Sequence, residues 1–412
     1  MTYRVSRRSL LAGAATATVF RTGPSRAAGK TIRIGVLTDM EGTYGALTGA
    51  GCVLGTQLAA EDFAKEHPGI AVEVLSADMQ LKPDVAVAIA GDWFDNKSVD
   101  LLMDLPLSSA AIAIGQMCKE KDKLAIYNGA ASSVLTGEKC GPNHLHWSYD
   151  TWSAPHALVQ ASLKDGTDTW FFIAADYAFG HMLASDSAGF VTAGGGKVLG
   201  TANYPFPGTT DFSAFLLQAK ASGAKAIGLA NGGVDTVNCI KQAHEFGLAQ
   251  SGVKLGAVGM LVPDVLAIGL EVAQGVRLVE PYYWDFNDGT RAFARRFAAR
   301  MQGHPMPDSA QAGQYSSTRH YLKAVAAIGA DKAKASGRAT LAEMRKIPIR
   351  DDIFGESTIR DDGRVIHATY LLEVKKPSES KETWDLMKVV GTVPANEAFR
   401  PINAGGCPLI HA

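Results

Sequence analysis

Short apolar, β-branched runs alternate with amphipathic stretches along the first 150 residues of this chain. The predicted strands are 31–37, 70–75, 100–105 and 123–127, and the predicted helices are 49–65, 85–93 and 109–121. Strand–helix alternation of this kind is typical of a parallel sheet that carries helices on both faces. The first part of the chain therefore predicts one α/β lobe.

The same pattern starts again after residue 150. The predicted strands are 169–174, 197–199, 226–229, 254–258 and 276–280, with helices at 152–163, up to about 193, at 211–221 and at 234–246. Two amphipathic helices, 290–302 and 309–327, have no strands of their own, so we expect them to pack on the first lobe. The closing strands, 357–360 and 367–374, are expected in the second lobe.

The fold class predicted is α/β, with two doubly wound parallel-sheet lobes. The chain would cross between the lobes three times, near 149–152, 280–284 and 350–354. The predicted boundaries are 30–149 plus 282–350 for lobe 1, and 150–281 plus 351–412 for lobe 2. Three crossing segments make a hinge that bends more readily than it twists.

The first 28 residues have the pattern of an export signal. Arg7 and Arg8 precede a short apolar run that ends at Phe20, and the small residues Ala27 and Ala28 follow. The apolar run is too short to span a bilayer. The arginine pair resembles a twin-arginine signal, although a general secretion signal would look similar. We expect cleavage near Ala27–Ala28 and a mature chain outside the cytoplasm.

Composition narrows the possible partners. The chain has 40 Lys and Arg residues against 41 Asp and Glu, and no basic stripe with interleaved aromatics, so no nucleic-acid partner is expected. No apolar stretch long enough to form a transmembrane helix follows the signal. Pairs with zinc-ligand spacing are also missing from the sequence, so neither a metal nor a cofactor is expected.

Five cysteines would meet an oxidising compartment after export. Cys140 and Cys407 lie beside glycine and proline in loop-like segments, whereas Cys52, Cys118 and Cys239 lie in or near helical patterns, as small buried thiols do. A Cys140–Cys407 bridge would hold the C-terminal tail to the body. The sequence leaves open whether that bridge forms.

Glycine-rich segments and scattered histidines offer weak signals for catalysis. Residues 49–55 miss the dinucleotide spacing, and 194–198 carry Val198 where a phosphate loop needs a hydroxyl. The sequence shows neither a Gly-x-Ser-x-Gly elbow nor a nucleophile–base pair. We expect a protein that is not an enzyme; an exported hydrolase or oxidoreductase is the alternative.

Small hydroxyl residues and one tyrosine follow the strands of the first lobe. Ser108 and Ser109 follow the third strand, Ser132 follows the fourth, and Tyr44 lies in the loop after the first. Ligands of open α/β sheets bind at the carboxyl ends of the strands, where helix N-termini present free N–H groups. These serines either cap helices or help to hold an anion.

The loops of the second lobe and the first crossing segment would form the opposite wall. The residues expected there are Tyr149, Asp150, Tyr177, Phe179, Asn231, Gly232 and Met260. Donors on one wall and aromatic or apolar side chains on the other suit a small molecule with a carboxylate or amide end and a flat or apolar body.

Several short motifs resemble, in order and spacing, the type I periplasmic binding proteins of the branched-chain amino acid (Leu/Ile/Val-binding) family, which serve ABC importers. These motifs are Gly42-Thr43-Tyr44-Gly45, Leu107-Ser108-Ser109, Gly129-Ala130-Ala131-Ser132, Asp176-Tyr177-Ala178-Phe179-Gly180 and the segment 231–243. The resemblance covers essentially the whole mature chain.

The resemblance implies a Venus-flytrap whose lobes shut on a ligand and whose closed form docks on a membrane permease. It implies that Ser108, Ser109, Ala130 and Ser132 hold the ligand carboxylate. Phe179 stands where the family offers a hydroxyl. Asn231 and Gly232 occupy a loop that usually offers a tyrosine, and Met260 matches the position from which an acidic residue clamps an α-ammonium.

Met260 changes the expected ligand. A buried ammonium without a charge partner costs roughly several kcal/mol, although Asp150 or Asp235 could substitute for the missing acid. An amino acid therefore stays open, and a small organic acid, including an aromatic one, or an amide is favoured. The expected protein is a monomeric periplasmic solute-binding component of an ABC importer, with a ligand-sensing subunit of a membrane receptor as an alternative.

Overall fold

The computed structural model describes residues 31–248 and 251–410, so the predicted export signal lies outside the described residues. The strands are β1 (Ile32–Thr38), β2 (Val72–Asp78), β3 (Leu101–Asp104), β4 (Leu124–Tyr127), β5 (His144–His146), β6 (Thr169–Ala175), β7 (Lys197–Tyr204), β8 (Ala226–Ala230), β9 (Lys254–Gly256), β10 (Arg277–Glu280), β11 (Ile349–Asp351), β12 (Gly355–Ile359), β13 (Val365–Ile366), β14 (Thr369–Val374) and β15 (Met387–Val393). The helices are α1 (Gly49–Glu66), α2 (Pro83–Asp95), α3 (Ser108–Lys121), α4 (Ser153–Lys164), α5 (Ala178–Ala193), α6 (Ser213–Ala221), α7 (Val234–Glu245), α8 (Val262–Ile268), α9 (Leu270–Ala273), α10 (Asp288–Ala298), α11 (Ser309–Ile328), α12 (Ala330–Ala335), α13 (Gly337–Lys346) and α14 (Ala395–Ala398).

The first lobe is built on a parallel sheet of order β2-β1-β3-β4-β5. Strands β3 and β4 are buried along their whole length, as expected for a parallel sheet covered on both faces. Helix α11 returns from late in the chain to pack on α1, as the sequence predicts. The two helices pack closely at Gly55, where a Cβ would lie 2.5 Å from the Gln311 carbonyl oxygen.

The second lobe is built on a parallel sheet of order β7-β6-β8-β9. Its central strands β6 and β8 are apolar and buried, and they carry the core of this lobe. Two parallel α/β sheets in one chain confirm the predicted fold class.

The closing strands lie in two places. Strand β14 pairs antiparallel with β10 and β15, and α4 packs against β10. Strands β11, β12 and β13 form a separate antiparallel sheet. Just before β13, the Gly363 carbonyl oxygen accepts a hydrogen bond from His146 N in β5, at the edge of the first sheet. The structure thus separates the two closing strands that the sequence placed together in the second lobe. The predicted lobe boundaries stay a prediction.

The C-terminal tail runs back to the first lobe. The Sγ atoms of Cys140 and Cys407 are bonded, and Arg400 Nη2 donates to Ser133 O at 2.9 Å. The three other cysteines are buried free thiols. None of the helices within 31–248 and 251–410 combines the length and apolar character needed to cross a membrane.

Candidate functional site

A small cavity of about 30 Å³ lies between the two lobes, and a second of about 20 Å³ adjoins it. The walls come from loops that follow strands of both sheets and from the first crossing segment. Seven of the residues predicted from the sequence line these cavities: Tyr44, Tyr149, Asp150, Tyr177, Phe179, Gly232 and Met260. The carboxyl ends of the strands therefore face the interlobe cleft, where the ligand of such a fold is expected.

Direct contacts close the cleft. The hydroxyl oxygens of Tyr44 and Tyr177 lie 2.6 Å apart across it, and Val234 N donates to Thr43 O at 3.1 Å. The ring of Phe206 also stacks on Tyr44 of the opposite lobe, with centroids 5.8 Å apart. A water needs roughly 10–15 Å³ of such volume, so in this closed form the cavities hold little more than water. A larger solute requires the lobes to separate.

Aromatic rings line the cavity together with aliphatic side chains and glycines. Tyr44 and Phe179 are buried, and their ring centroids lie 6.4 Å apart in an edge-to-face arrangement. Burial raises the pKa of Tyr44, Tyr149 and Tyr177 above the ordinary tyrosine value. Their hydroxyls therefore stay protonated at neutral pH and remain able to donate hydrogen bonds.

The two serine loops lie directly behind the cavity wall. Pro106 and Ala131 line the cavity, whereas Ser108, Ser109, Ala130 and Ser132 do not. Ser132 N donates to Ser108 Oγ at 3.3 Å, which joins the two loops. The sequence missed Pro106 and Ala131, because a proline and an alanine in a loop carry no signal that separates a binding wall from packing.

An anion could be held at this point by two kinds of donor. Helix α3 begins at Ser108, and its N-cap Leu107 has no side chain that can accept a hydrogen bond, so the N–H groups of the first turn lack a side-chain cap. The Ser132 hydroxyl is buried and has no partner among the described residues. Both features fit a carboxylate better than a cation.

Asp150 lines the second cavity, yet its carboxylate is already occupied. Its Oδ1 accepts from Trp152 N and Ser153 N, and its Oδ2 lies 3.6 Å from the buried Arg364 guanidinium. Burial raises the pKa of Asp150, but Arg364 and the other neighbours outweigh it and the pKa ends below its usual value. Asp150 is thus a charged group with its own partner and is not free to clamp an ammonium.

The other polar candidates of the second lobe are also engaged. Asp235 accepts from the Tyr204 hydroxyl at 2.6 Å, and burial raises its pKa to about 6. The Asn231 side chain accepts from Thr236 Oγ1 at 2.7 Å, so only its neighbour Gly232 reaches the cavity. Met260 brings no charge. Neither Asp150 nor Asp235 therefore stands as a free substitute for the missing acid.

Several wall residues were missing from the sequence prediction. Leu47, Leu261 and Val279 line the cavities. Loop leucines beside a strand end have the same pattern whether they pack in a core or against a ligand, so only the geometry distinguishes them. Within the described ranges, no group of three or more His, Cys, Asp or Glu residues could hold a metal ion.

Two α/β lobes that meet over a closable cavity define a hinged solute-binding protein. The chain belongs to the type I periplasmic binding protein family: the family model described as periplasmic binding protein matches residues 31–381. Its members are ligand-binding components of transporters.

Solved structures agree with this assignment. A periplasmic binding protein from Burkholderia mallei is 42% identical with a TM-score of 0.87, over 92% of this chain and 99% of that one. A branched-chain amino acid ABC transporter periplasmic ligand-binding protein from Burkholderia xenovorans LB400 is 40% identical with a TM-score of 0.78, over the same shares. A solute-binding protein from R. palustris in complex with benzoate is 22% identical with a TM-score of 0.79, over 92% of this chain and all of that one, and it shows the fold alone. No curated protein matches the chain.

Proposed function

We propose that this chain is the solute receptor of an ABC importer and that its cargo is a small carboxylic acid with an aromatic or branched apolar body and no ammonium group. The observation that carries the proposal is the chemistry of the cleft. Aromatic rings such as Tyr44, Tyr149 and Phe179 line it, and both candidate carboxylates, Asp150 and Asp235, have partners of their own.

The anion end of the cargo would lie at the two serine loops. The unpartnered Ser132 hydroxyl and the N-terminus of α3 both supply donors there. A carboxylate that replaces water at these donors gains charge-assisted hydrogen bonds, whereas a neutral amide gains weaker ones. The apolar body would then pack between the lobes and hold them closed.

Two similar proteins differ in the cargo that their descriptions give. The Burkholderia xenovorans relative carries branched-chain amino acid in its name, and the R. palustris protein binds benzoate. The occupied Asp150 and the uncharged Met260 favour the acid without an amino group for this chain.

The cellular role follows from the family. In this proposal the export signal is cleaved near Ala28, the mature monomer works in the periplasm, and the closed form delivers intact solute to a membrane permease. The proposal includes no covalent step in the cleft.

Matched solute pairs test the proposal. Purified mature protein is titrated by calorimetry with 3-phenylpropanoate and phenylalanine, and with 4-methylpentanoate and leucine. Each pair shares a body and differs in the ammonium. We expect the acid of each pair to bind more tightly by a factor of ten or more. Tighter binding of phenylalanine or leucine would overturn the cargo class, and chemical conversion of a bound acid, followed by mass spectrometry, would overturn the receptor function.

A further inference from the structure

One buried carboxyl group joins two helices of different lobes. Glu280 is the last residue of β10 and has no exposed surface. Its Oε1 accepts from Val262 N at 2.7 Å, and its Oε2 accepts from Ser309 N at 3.1 Å. The Ser309 hydroxyl also bonds to Oε2. A single side chain is thus the acceptor for three donors.

The donors belong to helices that pack on opposite lobes. Val262 is the first residue of α8, which packs on α7 in the second lobe, and Ser309 is the first residue of α11, which packs on α1 in the first lobe. N–H groups in the first turn of a helix have no partner within the helix, and the helix dipole favours an anion there. An opening motion that separates α8 from α11 would leave one of these helix ends without its acceptor.

No lysine or arginine of the described chain forms an ion pair with Glu280. The titratable groups that face it are carboxyls, Asp264 in the first turn of α8 and Asp308 at the N-cap of α11. The phenols of Tyr149, Tyr282 and Tyr283 also lie within electrostatic range, and Asp308 Oδ2 is buried without a partner. Glu280 is therefore held by helix N-termini rather than by a cation.

Sequence neighbours connect this group to the cavity. Val279 lines the second cavity and precedes Glu280, and Leu261 lines both cavities and precedes Val262. Glu280 itself lines neither. A solute that packs against Leu261 and Val279 would keep the neighbouring Val262 N and Glu280 Oε1 within hydrogen-bonding distance of each other.

We propose that Glu280 is an interlobe latch: a positioning residue that stabilises the closed state and sets solute affinity without touching the solute. The latch acts only after the lobes have met, so it governs how slowly the closed complex reopens. The proposal needs the hinged fold and not the cargo class, so it survives if the ammonium-bearing solute of a pair binds better.

Glu280→Gln tests the latch. Glutamine keeps the shape and one acceptor oxygen, but it places an NH₂ group against a donor, so one helix end loses its partner. Association and dissociation rate constants are measured by stopped flow with 3-phenylpropanoate and with phenylalanine. For whichever solute binds, each rate constant of the variant is divided by that of the wild type. We expect dissociation at least fivefold faster with association unchanged within twofold. Unchanged dissociation, or a loss confined to association, would overturn the latch.

Control variants and a second readout keep the test decisive. Glu271→Gln removes an exposed carboxyl in α9 of the same lobe and should leave both rates unchanged. Ser309→Ala removes one of the three donors and should give a smaller increase in dissociation even if the Glu280 variant folds poorly. Spin labels are attached at Glu120→Cys in α3 and Lys220→Cys in α6, and the distance between them is measured in solute-free protein. This distance should be longer in Glu280→Gln than in the wild type. Identical distance distributions together with identical dissociation rates would reject the proposal.

Discussion

Arg364 and Asp150 form a buried ion pair at the first crossing segment, with 3.6 Å between the guanidinium and the carboxylate. Arg364 Nη2 also donates to the carbonyl oxygens of Trp147 and Ser148, and the guanidinium lies 4.0 Å above the Phe399 ring. Burial lowers the pKa of Arg364 to about 10, so it stays charged at neutral pH. One arginine therefore supports both a hinge segment and the C-terminal tail.

Loss of this arginine should destabilise the fold strongly. Arg364→Met leaves the Asp150 carboxylate buried without its cation, and breaking a buried pair from one side costs roughly 3–5 kcal/mol. Urea unfolding measures this loss. The double variant with Asp150→Asn should lose less than the sum of the two single variants. Arg350→Met, which breaks an exposed pair with Glu356, should cost less than about 1 kcal/mol. Equal losses at both arginines would contradict a special role for Arg364.

Gly233 should be needed for closure. It has φ of +61°, and a Cβ there would lie 2.2 Å from the Thr43 carbonyl oxygen of the opposite lobe. Gly233→Ala should therefore hold the lobes apart and weaken solute binding by roughly tenfold or more, which corresponds to about 1.4 kcal/mol. Gly223 is the matched control, because its φ is +75° and a Cβ there meets nothing within 4 Å. Gly223→Ala should lower stability slightly and leave affinity unchanged, as calorimetry would show.

Ser132 should contribute to binding of the carboxylate. Its hydroxyl is buried without a partner beside the cavity wall, so Ser132→Ala should weaken binding of the acid solute by roughly 1–3 kcal/mol. Ser187 provides the control, because it is equally buried but bonds to Leu183 O within α5. Titration of Ser132→Ala with unaltered affinity would make this serine a packing residue.

Buried carboxyls should make stability depend on pH. Burial raises the pKa of both Asp264 and Glu280 to about 7. Below about pH 4 the two carboxyls are protonated in both the folded and the unfolded protein, so the free energy of unfolding has its full value. As the pH rises towards 7 the unfolded carboxyls ionise while the folded ones stay neutral, so ionisation removes roughly 4 kcal/mol of stability for Asp264 and roughly 3 kcal/mol for Glu280.

Asp264→Asn isolates that effect, because asparagine keeps an acceptor for Leu261 N and does not titrate. Urea unfolding of wild type and variant is compared at pH 4.5 and 7.5. We expect the wild type to lose more stability than the variant between these values. Parallel changes in the two proteins would show that Asp264 does not titrate in this range.

The fold was predictable where burial leaves a simple pattern. Strands such as β4 and β8 are continuous apolar runs, and the amphipathic period of α11 revealed a long helix without a strand of its own. Short elements such as α8 and α9 span too few residues for a period to show. The pairing of β12 with β11 and β13 could not be predicted, because both partners are too short to be recognised as strands from the sequence.

The site was predictable only in part, for a physical reason. Tyr44 and Phe179 stand at strand ends, and the topology brings strand ends together. The occupation of Asp150 depends on Arg364, which lies more than 200 residues away in sequence, as does the pairing of Cys140 with Cys407, where the separation is 267. Glu280 ends β10 directly after the buried apolar residues Leu278 and Val279, and a charge at that position was the available signal. Its partners in α8 and α11 become visible only in three dimensions.

The bond between Cys140 and Cys407 spans the three predicted crossing segments. A protease that cuts near residue 150, 282 or 352 would produce one fragment that carries Cys140 and another that carries Cys407. Both pieces would remain one covalent molecule. In gel electrophoresis a nicked chain would then migrate as intact protein until a reductant is added. The disulfide would thus keep the cleaved protein in one piece.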